Sequence, residues 1–270
     1  MIKKIFLNFN FKVFNILGFK YYLFYILNIF FNLYKIIKSK NLDILNDKFK
    51  KLTLNFYENK FFLNISEIDN LSKEKNSFGL IREIFFKNIY LNHFRLLNSK
   101  EINCIDLGCN IGIFSLLASK VFKEVKSIDV NQKYIKPYEK IMSDNYVYNT
   151  EFLNNFVGTF PSNDEIENHN SKLIDLNSFI VSRHLKKIFL KIDIEGYEFQ
   201  LFDNLDLNNI IALSMEVHQE KGNIDKLIDK ISESKFDYIL ANDLSEIVYE
   251  KDKATYIFAV RSNSFISLNI

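Results

Sequence analysis

"CIDLGCNIGIF", Cys104–Phe114, holds two of the chain's seven glycines within five positions. Apolar residues precede Gly108 as in a buried strand, and a small, apolar, helix-like run follows Gly112. The reading is strand, glycine turn, helix. Glycine at 108 and 112 permits dihedrals closed to other residues and lets a ligand approach the backbone. Amides at the helix start favour polar or anionic ligand groups. In an open α/β sheet, ligands bind outside the carboxyl ends of the strands.

Asp129 closes the next strand, "EVKSIDV", about twenty residues further on, where a carboxylate usually grips ribose hydroxyls. The ligand is therefore nucleotide-like. A dinucleotide fingerprint needs G-x-G-x-x-G, which Asn110 and Ile113 interrupt. Asp106, two residues before the first glycine, could receive a cationic ligand group. A carboxylate near an ammonium suits the amino-acid end of S-adenosylmethionine. With Asn155 of "TEFLNNFV", the expected cofactor-binding set is Asp106, Gly108, Asn110, Gly112, Asp129 and Asn155.

From residue 102 onward, strand-like and helix-like segments alternate. "INCIDL", "EVKSIDV", "TEFLNNFV", "KIFLKIDI" and "IIALSMEVH" read as strands, and "FDYIL" with "TYIFAV" as a closing antiparallel pair. "IFSLLASKVF", "KYIKPYEKIMSDN", "YEFQLFDNL" and "NIDKLIDKISES" read as helices. Residues 161–172 read as a polar loop. Alternating units predict an α/β fold, a mostly parallel seven-stranded sheet covered by helices on both faces, its last strand antiparallel. Upstream, "KLTLNFY" and "KFFLNIS" read as a hairpin turning at Glu58-Asn59, and "SFGLIREIFFKNIYLNHFRLL" as one amphipathic helix.

A second constellation lies in "FLKIDIEGYEFQLF", Phe189–Phe202. Alternate residues of a strand share a face, so Lys191, Asp193 and Glu195 fall on one side. The following strand repeats the pattern with Ser214, Glu216 and His218. Parallel strands are normally apolar on both faces, so charges at two such carboxyl ends need a reason. One reason is a structural ion pair, such as Lys191 with Glu216. The other is a polar site opposite the cofactor. On that reading Asp193 and His218 are proton acceptors, Glu216 orients them or shares the proton, and Lys191 and Glu195 lie on the substrate side. A divalent ion on Asp193, Glu195 and Glu216 is the alternative. These carboxylates lack the fixed short spacing of a metal motif, and no metal is assigned. Gly196 lets the chain turn sharply into the next helix.

"CIDLGCNIGIFSLLA", "SIDVN", "IFLKIDIEGYEFQLFDNL" and "ALSMEVH", in this order and spacing, resemble the FkbM family of class I S-adenosylmethionine-dependent methyltransferases. The resemblance covers roughly residues 75–262, and "KIDIEGYE" is its most specific block. "IDLNSFI" at 174–180 sits where the family has a short acidic-apolar segment. "SIDVNQ" departs from the family in lacking a proline. The resemblance implies a Rossmann-like fold and O-methylation of a hydroxyl on a sugar, a glycan or a related small molecule. Two rivals are an NAD-type oxidoreductase on a similar sheet and a membrane-associated protein that only binds. An amino-methylating enzyme of DNA would need an Asn/Asp-Pro-Pro-aromatic turn, and Pro137 and Pro161 lie elsewhere.

The remaining features bound the setting. The chain has 270 residues, 48% apolar and 25% charged, with a net charge of +2. That length allows a sizeable core, and that balance gives no case for a nucleic-acid partner. Phe, Asn, Lys and Ile are so common that single instances carry little information. Cys104 and Cys109 are too close across a strand end for an easy disulfide and read as buried thiols of a cytoplasmic protein. Residues 1–74 form a hydrophobic helical segment and hairpin, and 75–270 the methyltransferase domain. In "VFNILGFKYYLFYILNIFFNLYKII", Lys12, Lys20 and Lys35 break the apolar run below the length of a membrane span. Two readings stand: a helix lying on the inner membrane face with its lysines at the headgroups, including Lys3 and Lys4, or a helix packed on the domain or in a homodimer.

Overall fold

The computed structural model describes residues 11–157, 172–261 and 265–269. Most of the loop expected over 161–172, together with Pro161, Lys3 and Lys4, lies outside the described residues.

The strands from residue 102 onward form where the sequence alternates. They are β4 (Asn103–Leu107), β5 (Glu124–Asp129), β6 (Thr150–Val157), β8 (Ile188–Ile192), β9 (Ile210–Glu216), β10 (Phe236–Ala241) and β12 (Tyr256–Arg261). All five residues of β4 and of β8 are buried, as expected of central parallel strands. Two short edge strands, β7 (Lys172–Ile174) and β11 (Ile247–Val248), extend the sheet to nine, in the order β11-β10-β12-β9-β8-β4-β5-β6-β7. β4 pairs in parallel with β5 and with β8, and β12 is antiparallel to both β9 and β10. The seven central strands in this order, with β12 reversed, make the Rossmann-like class I methyltransferase fold.

Helices α5 (Ile113–Val121) and α6 (Ile135–Asp144) cover one face of the sheet, and α7 (Leu176–Ser182), α8 (Glu198–Asn204) and α9 (Ile224–Glu233) the other. Residue alternation divides the core accordingly. Cys104, Val125, Phe189 and Phe258 belong to the α5 side; Ile105, Leu190, Leu213 and Ile257 belong to the α7–α9 side. Pro137 lies in the first turn of α6, where a missing amide costs little. Both cysteines are buried and free, and burial raises both thiols well above the usual range.

The upstream segment joins the same α5-side core. It comprises α1 (Phe11–Phe31), α2 (Leu33–Ser39), the hairpin β1 (Leu52–Phe56) and β2 (Asn59–Leu63), and α3 (Ile65–Ser72). Val13, Tyr25, Ile29, Ile36 and Phe61 are buried in one cluster with Leu116 and Tyr138. The hairpin turns at Tyr57-Glu58, one residue earlier than expected, both with positive φ. The single helix read into 77–97 is corrected. After α4 (Ser77–Ile81) the backbone widens into a π-turn over Arg82–Lys87 and stops at Asn88, φ 58°. A tight turn then leads to β3 (Phe94–Leu96), which pairs with β13 (Ile266–Leu268). Its consequence is local and large: Tyr90 leaves the helix and points into the sheet.

Candidate active site

Strand order reverses between the parallel neighbours β4 and β8: β5, β6 and β7 lie to one side, β9 and beyond to the other. A crevice opens at the carboxyl ends of strands at such a switch point. Here it is a cavity of about 320 Å³, within the usual size of small-molecule sites. Of the residues singled out in the sequence, it is lined by Gly108, Asn110, Asp129, Asn155, Lys191, Asp193, Glu195 and Glu216. Asp106, Gly112 and His218 lie outside its wall.

Gly108 has φ 69°, and a Cβ there would sit 1.6 Å from the carbonyl oxygen of Asp193. The Asp193 amide donates to the Leu107 carbonyl at 3.1 Å. The glycine is thus required by the passage of the β8 terminus, besides bordering the cavity. Gly112, φ 87°, is corrected from a ligand contact to a packing position: a Cβ would meet the Tyr138 ring at 2.3 Å.

Asp129 ends β5 as expected. Its Oδ2 accepts from the Asn110 amide and its Oδ1 from the Asn131 amide, each at 2.8 Å. Burial raises its carboxyl, and those two amides oppose the rise. Asn110 holds φ 51°, a conformation Asn tolerates, and its own Oδ1 caps the Ile111 amide at 2.7 Å. The Asn155 side chain donates instead to the Lys172 carbonyl of β7 at 3.0 Å, so its amide is occupied at the sheet edge.

The expectation for Asp106 is overturned. It is fully buried, with Lys191 Nζ 3.0 Å from its Oδ1. Ser115 donates to its Oδ2 at 2.6 Å, and Ser127 donates to Ser115 at 2.8 Å. Ser127 has given up its only proton, so the Tyr138 hydroxyl 2.8 Å away donates to it. The Lys191 ammonium donates to the carbonyls of Gly108 at 2.7 Å and Leu107 at 3.1 Å. It occupies the place a ligand ammonium was expected to take, and it pairs with Asp106 rather than Glu216. Burial lowers the Lys191 ammonium, but the charges of Asp106 and Asp193 outweigh it and raise it.

Beside Lys191, whose Nζ lies 5.0 Å from its ring, Tyr90, fully buried in effect, donates to Asp193 Oδ2 at 2.8 Å, with Glu216 Oε2 at 3.5 Å. Burial first, then the charge of Asp193, push the Glu216 carboxyl up to about 7. Burial and the same two carboxylates raise the Tyr90 phenol well above its usual range, so it remains a proton donor.

Glu195, φ 53°, and Gly196, φ 103°, turn the chain into α8. Glu198 then folds back. It is fully buried and accepts from the amides of Gly196 at 2.9 Å and His218 at 2.7 Å. His218 Nδ1 lies 3.1 Å from Glu198 Oε1, and Nε2 lies 3.4 Å from Glu195 Oε2. Burial lowers the imidazole, but Glu198, Glu195 and Glu216 outweigh it and raise it. His218 is therefore clamped between Glu198 and Glu195 beside the cavity rather than a free base on it. One ligand atom each from Asp193, Glu195 and His218 lies within 4.8 Å of the others. That is the set that could take a divalent ion, with His218 in place of Glu216. Tyr90 and Glu198 were not singled out from the sequence.

No family model matches the chain, and no curated protein does. Solved structures do match. An rRNA methylase from Streptococcus thermophilus is 11% identical with a TM-score of 0.37, over 73% of this chain and 94% of that one. Precorrin-6y C5,15-methyltransferase from Geobacter metallireducens is 12% identical with a TM-score of 0.38, over 66% and 88%. Ribosomal protein L11 methylase from Lactobacillus delbrueckii subsp. bulgaricus is 15% identical with a TM-score of 0.35, over 61% and 72%. A likeness of that degree says nothing of the reaction, and the sheet order above rests on its own pairings.

Proposed function

We propose that the protein is an S-adenosylmethionine-dependent O-methyltransferase acting on a hydroxyl of a sugar, glycan or related small molecule, as the FkbM resemblance implies. The observation that carries this reading is that one cavity joins the glycine turn and Asp129 to the Tyr90–Asp193–Glu216 cluster. The donor set fits the cofactor's nucleoside. Asp129 presents a fixed carboxylate for ribose hydroxyls, and Leu107, Ile113, Ile128 and Val130 supply apolar wall. Its methionyl ammonium needs an acceptor other than Asp106, which Lys191 occupies.

S-adenosylmethionine supplies a methyl group already activated on sulfonium. What remains for the protein is to align an acceptor oxygen and remove its proton. Asp193 and Glu216 act as one unit for that proton, held apart by the Tyr90 hydroxyl. The acceptor's hydroxyl proton would pass to this pair, and the cofactor, when bound, would supply the methyl group. Turnover should therefore rise with pH through about 7, as Glu216 loses its proton. A profile flat from pH 6 to 8, with chemistry rate-limiting, would remove Glu216 from the base.

Isothermal titration with S-adenosylhomocysteine and NAD separates this reading from the oxidoreductase. Asp129→Ala should weaken S-adenosylhomocysteine by about 1.5–3 kcal/mol, the loss of charge-assisted hydrogen bonds to ribose. Unchanged affinity in a folded variant would remove the nucleoside assignment.

A further inference from the structure

The N-terminal helices bury one apolar face and leave another uncovered. At about 100° per residue, Tyr25, Ile29 and Ile36 fall on one side, and each is essentially inaccessible. Phe19, Leu23, Leu27, Phe30, Tyr34 and Ile37 follow spacings of three and four along the far side, and all are exposed. Phe30 and Tyr34 are 69% and 78% exposed. The stripe crosses from α1 to α2 without a break, because the Asn32 and Ile36 amides continue the helical bonds to Asn28 and Asn32. A contiguous exposed patch of this kind marks an interaction surface.

Its charge favours one class of partner. The lysines at 3, 4, 12, 20, 35, 38 and 40 all precede the first acidic residue, Asp43. Lys20, Lys35 and Lys38 are exposed, and on the same helical count they flank the aromatic stripe along one edge. Lys12 turns inward and donates to the Lys87 carbonyl. Aromatic and aliphatic side chains with lysines along one edge suit the boundary of headgroups and acyl chains.

We propose that this stripe docks the protein on an anionic membrane surface, lying in its plane. The helix does not span. Phe11–Phe31 has the length and composition to cross a bilayer, but Gly18, φ 67° and ψ 167°, interrupts it. Beyond Gly18 the uncharged run between Lys20 and Lys35 is only Tyr21–Tyr34, short of the roughly 20 apolar residues a span needs. Its buried face is committed to the core through Tyr25, which meets Phe78 and Phe86 edge-on. Packing on the domain and lying on lipid, alternatives from the sequence, here use opposite faces of the same helix.

Flotation of the full chain with phosphatidylcholine vesicles, with and without phosphatidylglycerol, tests this. The protein should float with the anionic vesicles and be released by salt. Phe19→Ser, Phe30→Ser and Tyr34→Ser together should reduce binding by about tenfold or more, with an unchanged melting temperature because all three are exposed. Lys20→Glu with Lys35→Glu should do the same on anionic vesicles only. Failure of the native chain to float would overturn the proposal. So would vesicle binding indifferent to these substitutions, or a dimer that the triple serine variant splits, which would assign the stripe to a second copy of the chain.

Discussion

Asp193→Asn should lower methyl transfer by about a hundredfold or more, and Glu216→Gln by a similar factor, with S-adenosylhomocysteine affinity kept within about threefold. The two residues line the cavity and bracket one hydroxyl, Tyr90, at 2.8 and 3.5 Å. Both meet the same hydroxyl and act as a unit, so the double variant should be little worse than either single one. The substitutions part company in stability. Glu216 titrates at about 7 in the fold against 4.5 as the ordinary value. Its raised carboxyl binds more protons folded than unfolded across that window, so the native residue loses stability as pH rises from about 4.5 to 7. Glu216→Gln removes that loss and should stabilise the protein by about 1–3 kcal/mol at pH 8, with no such gain below pH 4.5. A variant more stable at pH 8 yet inactive identifies a residue kept for chemistry. Wild-type turnover in both single variants would leave the cluster structural.

The sequence made the sheet legible because its signals are local. β4 and β8 are short apolar runs ending at charges, and the glycine turn follows the first of them. Pairing order is not local, and it is visible only in the assembled sheet. The edge strands β7 and β11 are too short to show a period. The error over 77–97 has a physical source. Ile81, Ile84, Phe85 and Ile89 keep helical spacing, so hydrophobic periodicity alone extends the helix past Asn88. The chain ends it there with a left-handed Asn, which a sequence so rich in Asn does not advertise. Tyr90 went unnoticed for that reason. Glu198 stood inside the most specific block, but its role depends on folding back through the Glu195-Gly196 turn onto His218. Asp106 was misassigned because a strand's polar face says that a charge needs a partner, not which partner. Lys191 lies directly across from it in the β4–β8 register, and that pairing exists only once the crossover has been made.

Asp106→Asn should destabilise the protein by about 3–5 kcal/mol, since it strands the Lys191 ammonium in the interior. Lys191 is 2% exposed. Without Asp106 it keeps the Leu107 and Gly108 carbonyls and an Asp193 carboxylate 3.8 Å away, none of which replaces an ion pair at 3.0 Å. The melting temperature should fall by about 6–20 °C, at roughly 2–4 °C per kcal/mol for a domain of this size. Lys191→Met should cost about as much by leaving Asp106 unpaired, and Asp106→Asn with Lys191→Met together should recover most of the loss. The sign of the pH dependence follows from Lys191. Its folded value is raised above the ordinary 10.5, so its contribution is complete below that value and fades only as pH climbs through the folded value. At pH 6–9 the Lys191 contribution should therefore stay level, unlike that of Glu216. Had Asp106 been the acceptor of a ligand ammonium, Asp106→Asn would leave the melting temperature of the free protein nearly unchanged and weaken S-adenosylhomocysteine instead. Calorimetry on the free protein beside titration of the ligand tells the two apart, and a double variant no more stable than the singles would show that the pair does not act as one.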